Sequence, residues 1–174
     1  MSLVVAVAAL VVALDAATKA LAVQVLSGRD AVEVLGGAVQ LELYRNFAGP
    51  RNMLEGHPVL VSLLALIGVV AFSLLATRVR TTTTAIAVGL VLGGGIGNLA
   101  DRIVRAPGPL HGGVIDWLRP GWSSGSMNLA DLAIQIALFV FVLGTGYAWW
   151  RDRRRLRDIA STACPGCQDP GSPR

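Results

Sequence analysis

Two aspartates are the residues of this sequence best suited to do chemistry. Asp116 lies in the segment Val-Ile-Asp-Trp, which we predict to be a loop, and Asp131 lies in the first turn of the apolar segment 129–150. A carboxylate in or beside a membrane span is costly and therefore indicates a function. Two carboxylates within hydrogen-bonding reach share one proton, and together they supply a general base and a general acid. The pair predicts an aspartyl dyad able to direct water at a peptide carbonyl.

The composition indicates that these aspartates belong to an integral membrane protein. Hydrophobic residues make up 53% of the 174 residues, charged residues make up only 15%, and the mean hydropathy is +0.60. Soluble domains contain about 25% charged residues. This length suffices for one compact bundle of spans and is too short for a further domain of typical size. We expect one domain over residues 1–159 and a disordered cytoplasmic tail over residues 160–174.

Four apolar segments are each long enough to cross a bilayer, which takes about 20 helical residues. They cover residues 3–26, 58–76, 84–103 and 129–150. The first segment is also a candidate signal peptide, but it lacks a basic start and is interrupted by Asp15 and Lys19, so we interpret it as a span. The predicted fold class is an all-α membrane protein with four transmembrane helices.

Arginines predict the orientation of these spans. Arg78 and Arg80 lie between the second and third spans, and further arginines follow the fourth span within residues 151–157. Positive charge concentrates on the cytoplasmic side of membrane proteins. We therefore expect both termini to be cytoplasmic and the longer connections, 28–57 and 104–128, to face outward.

The first outward connection contains a strand pattern. Val39, Leu41 and Leu43 alternate with polar neighbours, and two glycines separate them from the apolar run 32–35. Period-two alternation is typical of a half-buried strand. We expect a small extracytoplasmic β-sheet or hairpin on the membrane surface, with an irregular loop as the alternative.

Charged residues from two spans gather at the same outward face. Asp15 and Lys19 are four residues apart on the first span, so they form either a neutralised ion pair or part of a substrate site. Asp101 and Arg102 end the third span, where they are either a charge pair at the helix end or part of the site. Both interpretations remain open for each pair.

Two asparagines share helix faces with these charges. Asn98 lies three residues before Asp101 and four before Arg102, and Asn128 lies three residues before Asp131. Residues three and four apart are neighbours on a helix surface. Polar groups from three helices and a loop therefore converge on one membrane face, as an active site requires.

No other hydrolytic motif occurs in the sequence. The His-Glu-x-x-His and Gly-x-Ser-x-Gly patterns are both missing, and His57 and His111 have no neighbouring ligand pattern. Cys164 and Cys167 form a lone Cys-x-x-Cys in the tail, which indicates neither a full zinc site nor a redox fold. We expect no metal and no cofactor.

A set of short motifs occurs in one order along most of the chain. They are Asp15-x-x-Thr18-Lys19, Asn46, Gly97-Asn98-x-x-Asp101-Arg102, Val114-x-Asp116-Trp117 and Met127-Asn128-x-Ala130-Asp131. The combination resembles the bacterial lipoprotein signal peptidases, also called signal peptidase II. No single one of these motifs would be specific, whereas their order and number are.

The resemblance implies a four-span aspartyl endopeptidase of the bacterial inner membrane with its active site at the extracytoplasmic face. Such enzymes remove the signal peptide from a diacylglyceryl-modified prolipoprotein by cutting before the lipidated cysteine. Asp116 and Asp131 match the family's catalytic pair. The matching substrate-binding or supporting positions are Asp15, Lys19, Asn46, Asn98, Asp101, Arg102 and Asn128. The expected partners are prolipoprotein substrates and membrane lipid, with no nucleic acid, and we expect a monomer.

The segment after Asn46 departs from the family pattern. Pro50 and Arg51 stand where small and aromatic residues are expected. The departure motivates an alternative function, that of a catalytically weak or inactive relative that binds lipopeptides or inhibitors. A small transporter is a third hypothesis, and it is disfavoured because the polar residues gather at one face without extending toward Arg78.

Overall fold

The computed structural model describes residues 1–49 and 54–163 as a bundle of long helices with a small sheet at one end. In chain order the elements are α1 (Ser2–Leu26), β1 (Val32–Val34), β2 (Val39–Asn46), α2 (Pro58–Ala76), α3 (Thr82–Val104), β3 (Val114–Pro120) and α4 (Leu129–Ala163). All four helices are long and apolar enough to cross a membrane. The predicted fold class, four spans with a small sheet, is confirmed.

Local sequence signals explain where the helices begin and end. Pro58 occupies the first turn of α2. N–H groups in the first turn have no partner within the helix, so the N–H that proline lacks is not needed there. Thr81 caps α3, because its hydroxyl accepts a hydrogen bond from the Thr84 N–H. α3 ends before Pro107, since a proline disfavours helical geometry in the residue that precedes it.

α4 is longer than predicted. We expected the fourth span to end near residue 150 and the chain to be disordered from residue 160, whereas the helix continues to Ala163. Residues 151–163 contain no glycine or proline and are rich in arginine, which favours helix. Arg153 also stacks on Trp149, with its guanidinium carbon 4.1 Å from the ring centroid. The start of the predicted tail is therefore helical, and the rest of it, with both cysteines, lies outside the described residues.

Three antiparallel strands form the sheet in the order β1-β2-β3. β1 and β2 form the predicted hairpin, and β3 joins from a distant part of the chain, with Asp116 opposite Tyr44. The prediction of a loop around Asp116 is wrong. Val114, Ile115 and Asp116 are all buried, so this strand lacks the period-two alternation that identifies a strand in a sequence.

α3 is the central helix, and it packs against α1, α2 and α4. Its glycines allow the neighbouring backbones to come close. A β-carbon on Gly93 would lie 2.6 Å from the Val11 β-carbon, and one on Gly94 would lie 2.5 Å from the Ala130 carbonyl oxygen. Helices in lipid associate mainly through such close packing, because lipid tails are as apolar as their side chains. The glycines therefore determine how closely α1 and α4 approach α3.

Substituting Gly93 with alanine should lower the stability of the bundle. The added methyl group would meet Val11 and the Ala8 carbonyl oxygen, 2.8 Å away, and overpacking of this kind costs about 1–3 kcal/mol. Thermal unfolding in detergent measures the effect. Gly146→Ala is the matched control, because no atom lies within 4 Å of its added carbon, and it should be at least as stable as the wild type. Equal unfolding temperatures for the two variants would contradict the assigned packing.

Candidate active site

The site is built on the first turn of α4. Asn128 is the residue before this helix, and its side-chain Oδ1 accepts a hydrogen bond from the Asp131 N–H at 3.0 Å. The Asp131 carboxylate accepts in return from the Asn128 N–H at 3.3 Å, which completes a capping box. Asp15 of α1 accepts a third N–H, that of Ala130, at 3.0 Å. Three N–H groups that an isolated helix would leave unpaired are thus satisfied.

The Asn128 side chain also links the two aspartates. Its Nδ2 donates to Asp116 Oδ1 at 2.7 Å and to Asn98 Oδ1 at 3.1 Å. Asn98 in turn donates to Asp131 Oδ1 at 2.8 Å. Asn128 and Asp116 are both completely buried. Two amides therefore connect one carboxylate to the other, and each amide uses both its donor and its acceptor.

Asn46, at the end of β2, holds the other oxygen of Asp116. Its Nδ2 donates to Asp116 Oδ2 at 3.0 Å. Its own Oδ1 accepts from the N–H groups of Ala48 and Gly49, at 3.1 and 2.9 Å, so the turn after β2 fixes the direction in which the amide points. Asp116 is therefore held from β2 and from α4 at once.

A buried network of ion pairs and hydrogen bonds lies next to the two aspartates. Lys19 Nζ lies 2.6 Å from Asp15 Oδ2, 3.1 Å from Asp101 Oδ2 and 3.0 Å from Asn98 Oδ1. An ammonium group has three donors, so the Lys19 donors are fully used. The Asp15–Lys19 ion pair, one of the two interpretations of this spacing, is present.

Asp101 does not pair with its neighbour in the sequence. Its carboxylate contacts Lys19, accepts a hydrogen bond from the Ile115 N–H at 3.1 Å and lies 2.5 Å from Arg105 Nε. Our charge-pair interpretation of Asp101 and Arg102 is therefore corrected. The partner that we missed, Arg105, lies four residues after Asp101, a spacing that was visible in the sequence.

Arg102 is buried and, within the part of the chain that the structure describes, has an unpaired side-chain donor. Its Nη1 has no hydrogen-bond partner among the described residues, and its side chain lines the same groove as Asp116 and Asp131. An unpaired buried donor is costly. Arg102 therefore places a positive charge at the wall of the groove, near both aspartates.

The network joins eight of the nine predicted site residues by continuous hydrogen bonds and ion pairs, and the ninth, Arg102, lines the groove beside them. The eight are Asp15, Lys19, Asn46, Asn98, Asp101, Asp116, Asn128 and Asp131. The groove has a volume of about 1210 Å³ and extends between α2 and α4 across the face of α3. It is lined by polar groups at the sheet end and by mainly apolar side chains along the helices.

The pKa of Asp116 is raised to about 7, mainly by burial and also by the negative charge of Asp131. The hydrogen bonds from Asn46 and Asn128 and the charge of Lys19 act in the opposite direction. Because the pKa lies near neutrality, Asp116 is able to hold a proton or to release it at physiological pH. No group of three or more metal-ligating His, Cys, Asp or Glu side chains occurs within residues 1–49 and 54–163.

One wall of the groove was absent from our predictions. Residues 122–127, between β3 and α4, line the groove mouth. Met127 pairs with Leu118 of β3, and the Ser126 hydroxyl donates a hydrogen bond to Glu42 of β2. The segment has no strand periodicity, so only its pairing with residues distant in the sequence could identify it.

These features define a multi-pass membrane protein whose polar site lies at the head of an apolar groove. A solved structure of a bacterial membrane enzyme has the same fold, with a TM-score of 0.71 at 18% identity, and the match covers 100% of this chain and 96% of that one. A second solved bacterial membrane enzyme matches with a TM-score of 0.70 at 21% identity, covering 83% of this chain and 93% of that one.

Sequence comparison gives the family. The model described as signal peptidase (SPase) II matches residues 7–146. The lipoprotein signal peptidase of Mycobacterium avium (strain 104) is 40% identical over 132 residues, or 76% of this chain and 72% of the relative. That of Leifsonia xyli subsp. xyli is 41% identical over 153 residues, or 87% of this chain and 70% of the relative. The chain therefore belongs to the signal peptidase II family, and it is a membrane peptidase of lipoprotein processing.

Two substitutions of Asn128 should separate its capping role from its contact with Asp116. Serine retains an oxygen for the Asp131 N–H, whereas alanine does not, so Asn128→Ala should unfold more readily than Asn128→Ser by about 1 kcal/mol. Both variants lack the amide donor to Asp116, so both should lose most peptidase activity. Thermal unfolding and cleavage are measured on the same preparations. Wild-type turnover by Asn128→Ser would show that the amide contact is dispensable.

Proposed function

We propose that this chain is an aspartic endopeptidase in which Asp116 and Asp131 are the catalytic pair. The observation that carries the proposal is the continuous chain of hydrogen bonds from Asp116 through Asn128 and Asn98 to Asp131, at the head of a groove open between α2 and α4. Its substrate is a diacylglyceryl-modified prolipoprotein, which is cut before the lipidated cysteine. This specificity follows from the family, and the apolar groove is suited to a substrate that lies in the bilayer.

The proposed reaction begins with one proton on the pair. Asp116, whose pKa is about 7, carries the proton and gives it to the scissile carbonyl oxygen, while ionised Asp131 removes a proton from the attacking water. A neutral gem-diol intermediate results. When the C–N bond breaks, Asp131 returns its proton to the leaving amine of the cysteine, and a hydroxyl of the intermediate returns a proton to Asp116. The pair regains its starting state.

The other residues serve as positioning groups in this proposal. Asn46, Asn98 and Asn128 hold the carboxylate oxygens through amides, which do not titrate and therefore keep their geometry at any pH. Asp15, Lys19 and Asp101 hold the N-terminus of α4, Asn98 and β3 in place. Arg102 lines the groove and has a buried donor without a partner among the described residues, and its positive charge makes it the group best suited to bind a substrate carbonyl oxygen.

We further propose that the dyad faces away from the cytoplasm. The arginines at 78 and 80 and those at 151–157 lie at the opposite end of the bundle from the sheet, and positive charge favours the cytoplasmic side. Both termini are then cytoplasmic, and the membrane is the bacterial inner membrane. We propose one membrane domain over residues 1–159 that acts as a monomer on prolipoprotein within lipid, without nucleic acid.

The alternative of a weak or inactive lipopeptide-binding protein has no support in the described residues. It depended on the unusual segment 46–51, of which residues 50 and 51 are not described. Asn46 itself retains its hydrogen bond to Asp116, as an active site of this kind needs. The peptidase proposal therefore stands without a second candidate function.

The dyad is tested by Asp116→Asn and Asp131→Asn, each assayed on a diacylglyceryl-modified prolipoprotein. Each substitution removes the group that accepts or donates the proton, and general acid–base catalysis contributes about 10²–10⁴-fold, so we expect a loss of at least that size. Asp30→Asn is the matched control, because Asp30 is exposed and outside the network, and it should cleave normally. Normal turnover by either dyad variant, with normal membrane insertion, would overturn the assignment.

The rate should also depend on pH near neutrality. The pKa of Asp116 is raised, so the required proton is present below about pH 7 and is lost as the pH rises through that value. Hence kcat/KM should fall as the pH rises above about 7. Asn46→Ala removes a hydrogen bond that favours the ionised form, so this alkaline limb should move to higher pH. The exposed variant Glu33→Gln should leave the profile unchanged. A limb that stays in place in Asn46→Ala would contradict the assignment of the proton to Asp116.

A further inference from the structure

The part of the groove farther from the sheet contains one polar side chain that the proposed reaction does not use. Leu64, Val69 and Phe72 of α2, with Val91 of α3, line this part with apolar surface. Gln135 of α4 lies among them, one helical turn beyond Asp131 on the same helix face. Among the described residues that line this stretch, Gln135 alone carries hydrogen-bonding side-chain groups.

Gln135 has no partner within the described part of the protein. Its side chain is exposed in the groove, and it takes part in none of the hydrogen bonds formed by the described residues. By contrast, the Thr145 hydroxyl on the same helix donates to the Phe141 carbonyl at 2.9 Å. A carboxamide without a partner in the hydrocarbon region is costly. The Gln135 amide therefore needs a partner from outside the chain.

A substrate segment in this groove would bring backbone N–H and C=O groups that lack hydrogen-bond partners. The scissile bond must leave a helical conformation to reach a catalytic group, so the adjoining peptide units lose their internal hydrogen bonds. In the bilayer no water replaces those bonds. A carboxamide has two N–H donors and a carbonyl acceptor, which lets it pair with the N–H and the C=O of a peptide unit. The unmet groups of Gln135 and of an unwound peptide are therefore complementary.

We propose that Gln135 forms a subsite for the peptide backbone of the signal sequence, on the N-terminal side of the scissile bond. This inference rests on the proposed function and on its orientation, in which the N-terminal side of the substrate lies deeper in the membrane. One helical turn separates Asp131 from Gln135, a rise of about 6 Å at 1.5 Å per residue. An extended peptide rises about 3.3 Å per residue, so the bound unit is about two residues from the scissile bond.

The subsite is tested by the cleavage kinetics of Gln135→Met and Gln135→Leu on a synthetic diacylglyceryl prolipoprotein peptide. Methionine retains the length and loses the hydrogen bonds, and both residues suit an apolar helix. One lost hydrogen bond corresponds to a rise in KM of about 3- to 10-fold, with kcat changed less than about 2-fold. Thr145→Val also removes a polar group from α4, outside the groove, and should leave both constants unchanged. An unchanged KM in both Gln135 variants would overturn the proposal.

A change in the substrate distinguishes a backbone contact from a structural effect. Replacing a peptide bond by an ester removes one N–H, and esters are placed in turn at the first four bonds on the N-terminal side of the scissile bond. In the wild-type enzyme the ester near the second bond should raise KM several-fold, and in Gln135→Met that same ester should have no further effect. Equal ester effects in both enzymes would show that Gln135 does not bind the backbone. Cleavage that survives Asp116→Asn instead contradicts the proposed function, so the two failures are separable.

Discussion

The site depends on the pairing of the N–H groups at the start of α4. This helix begins within the bundle, where Asn128 and Ala130 are buried, so its first N–H groups need side-chain acceptors. Asn128 and Asp131 satisfy two of them reciprocally, and Asp15 of α1 satisfies another. The same Asn128 amide then donates to Asp116. A requirement of helix capping thus places one aspartate and orients the donor that holds the other.

The ion network and the glycines of α3 make this arrangement stable. Lys19 is a buried cation, and burying a charge is tolerable only when it is paired and hydrogen-bonded. Asp15, Asp101 and Asn98 provide one contact for each of its donors. These contacts require α1, α3 and α4 to lie close together. The missing side chains of the α3 glycines permit that approach, so packing and electrostatics reinforce each other.

Fixed amide donors hold both carboxylates of the site. Each carboxylate accepts hydrogen bonds from asparagine amides, which are fixed by β2, α3 and the start of α4. Such donors are in place before any substrate arrives, and preorganised dipoles need no rearrangement during a reaction. Asp116 belongs to a paired strand rather than to a loop, so its position is set by the fold. Arg102 and Gln135 are groove-lining residues of α3 and α4 whose side chains have unpaired donors within the described structure.

The sequence by itself determined the four spans and the hairpin of β1 and β2, and it identified the polar residues that the structure brings together. It did so because apolar length, period-two alternation and charges in apolar surroundings are local signals. Tertiary structure alone decided that Asp116 lies on β3, since that strand is buried on both faces and pairs with β2 some 70 residues away. It also decided that Asp101 pairs with Lys19 and not with Arg102. Hydrogen-bond partners depend on which helices meet, and neighbouring positions in a chain do not specify that.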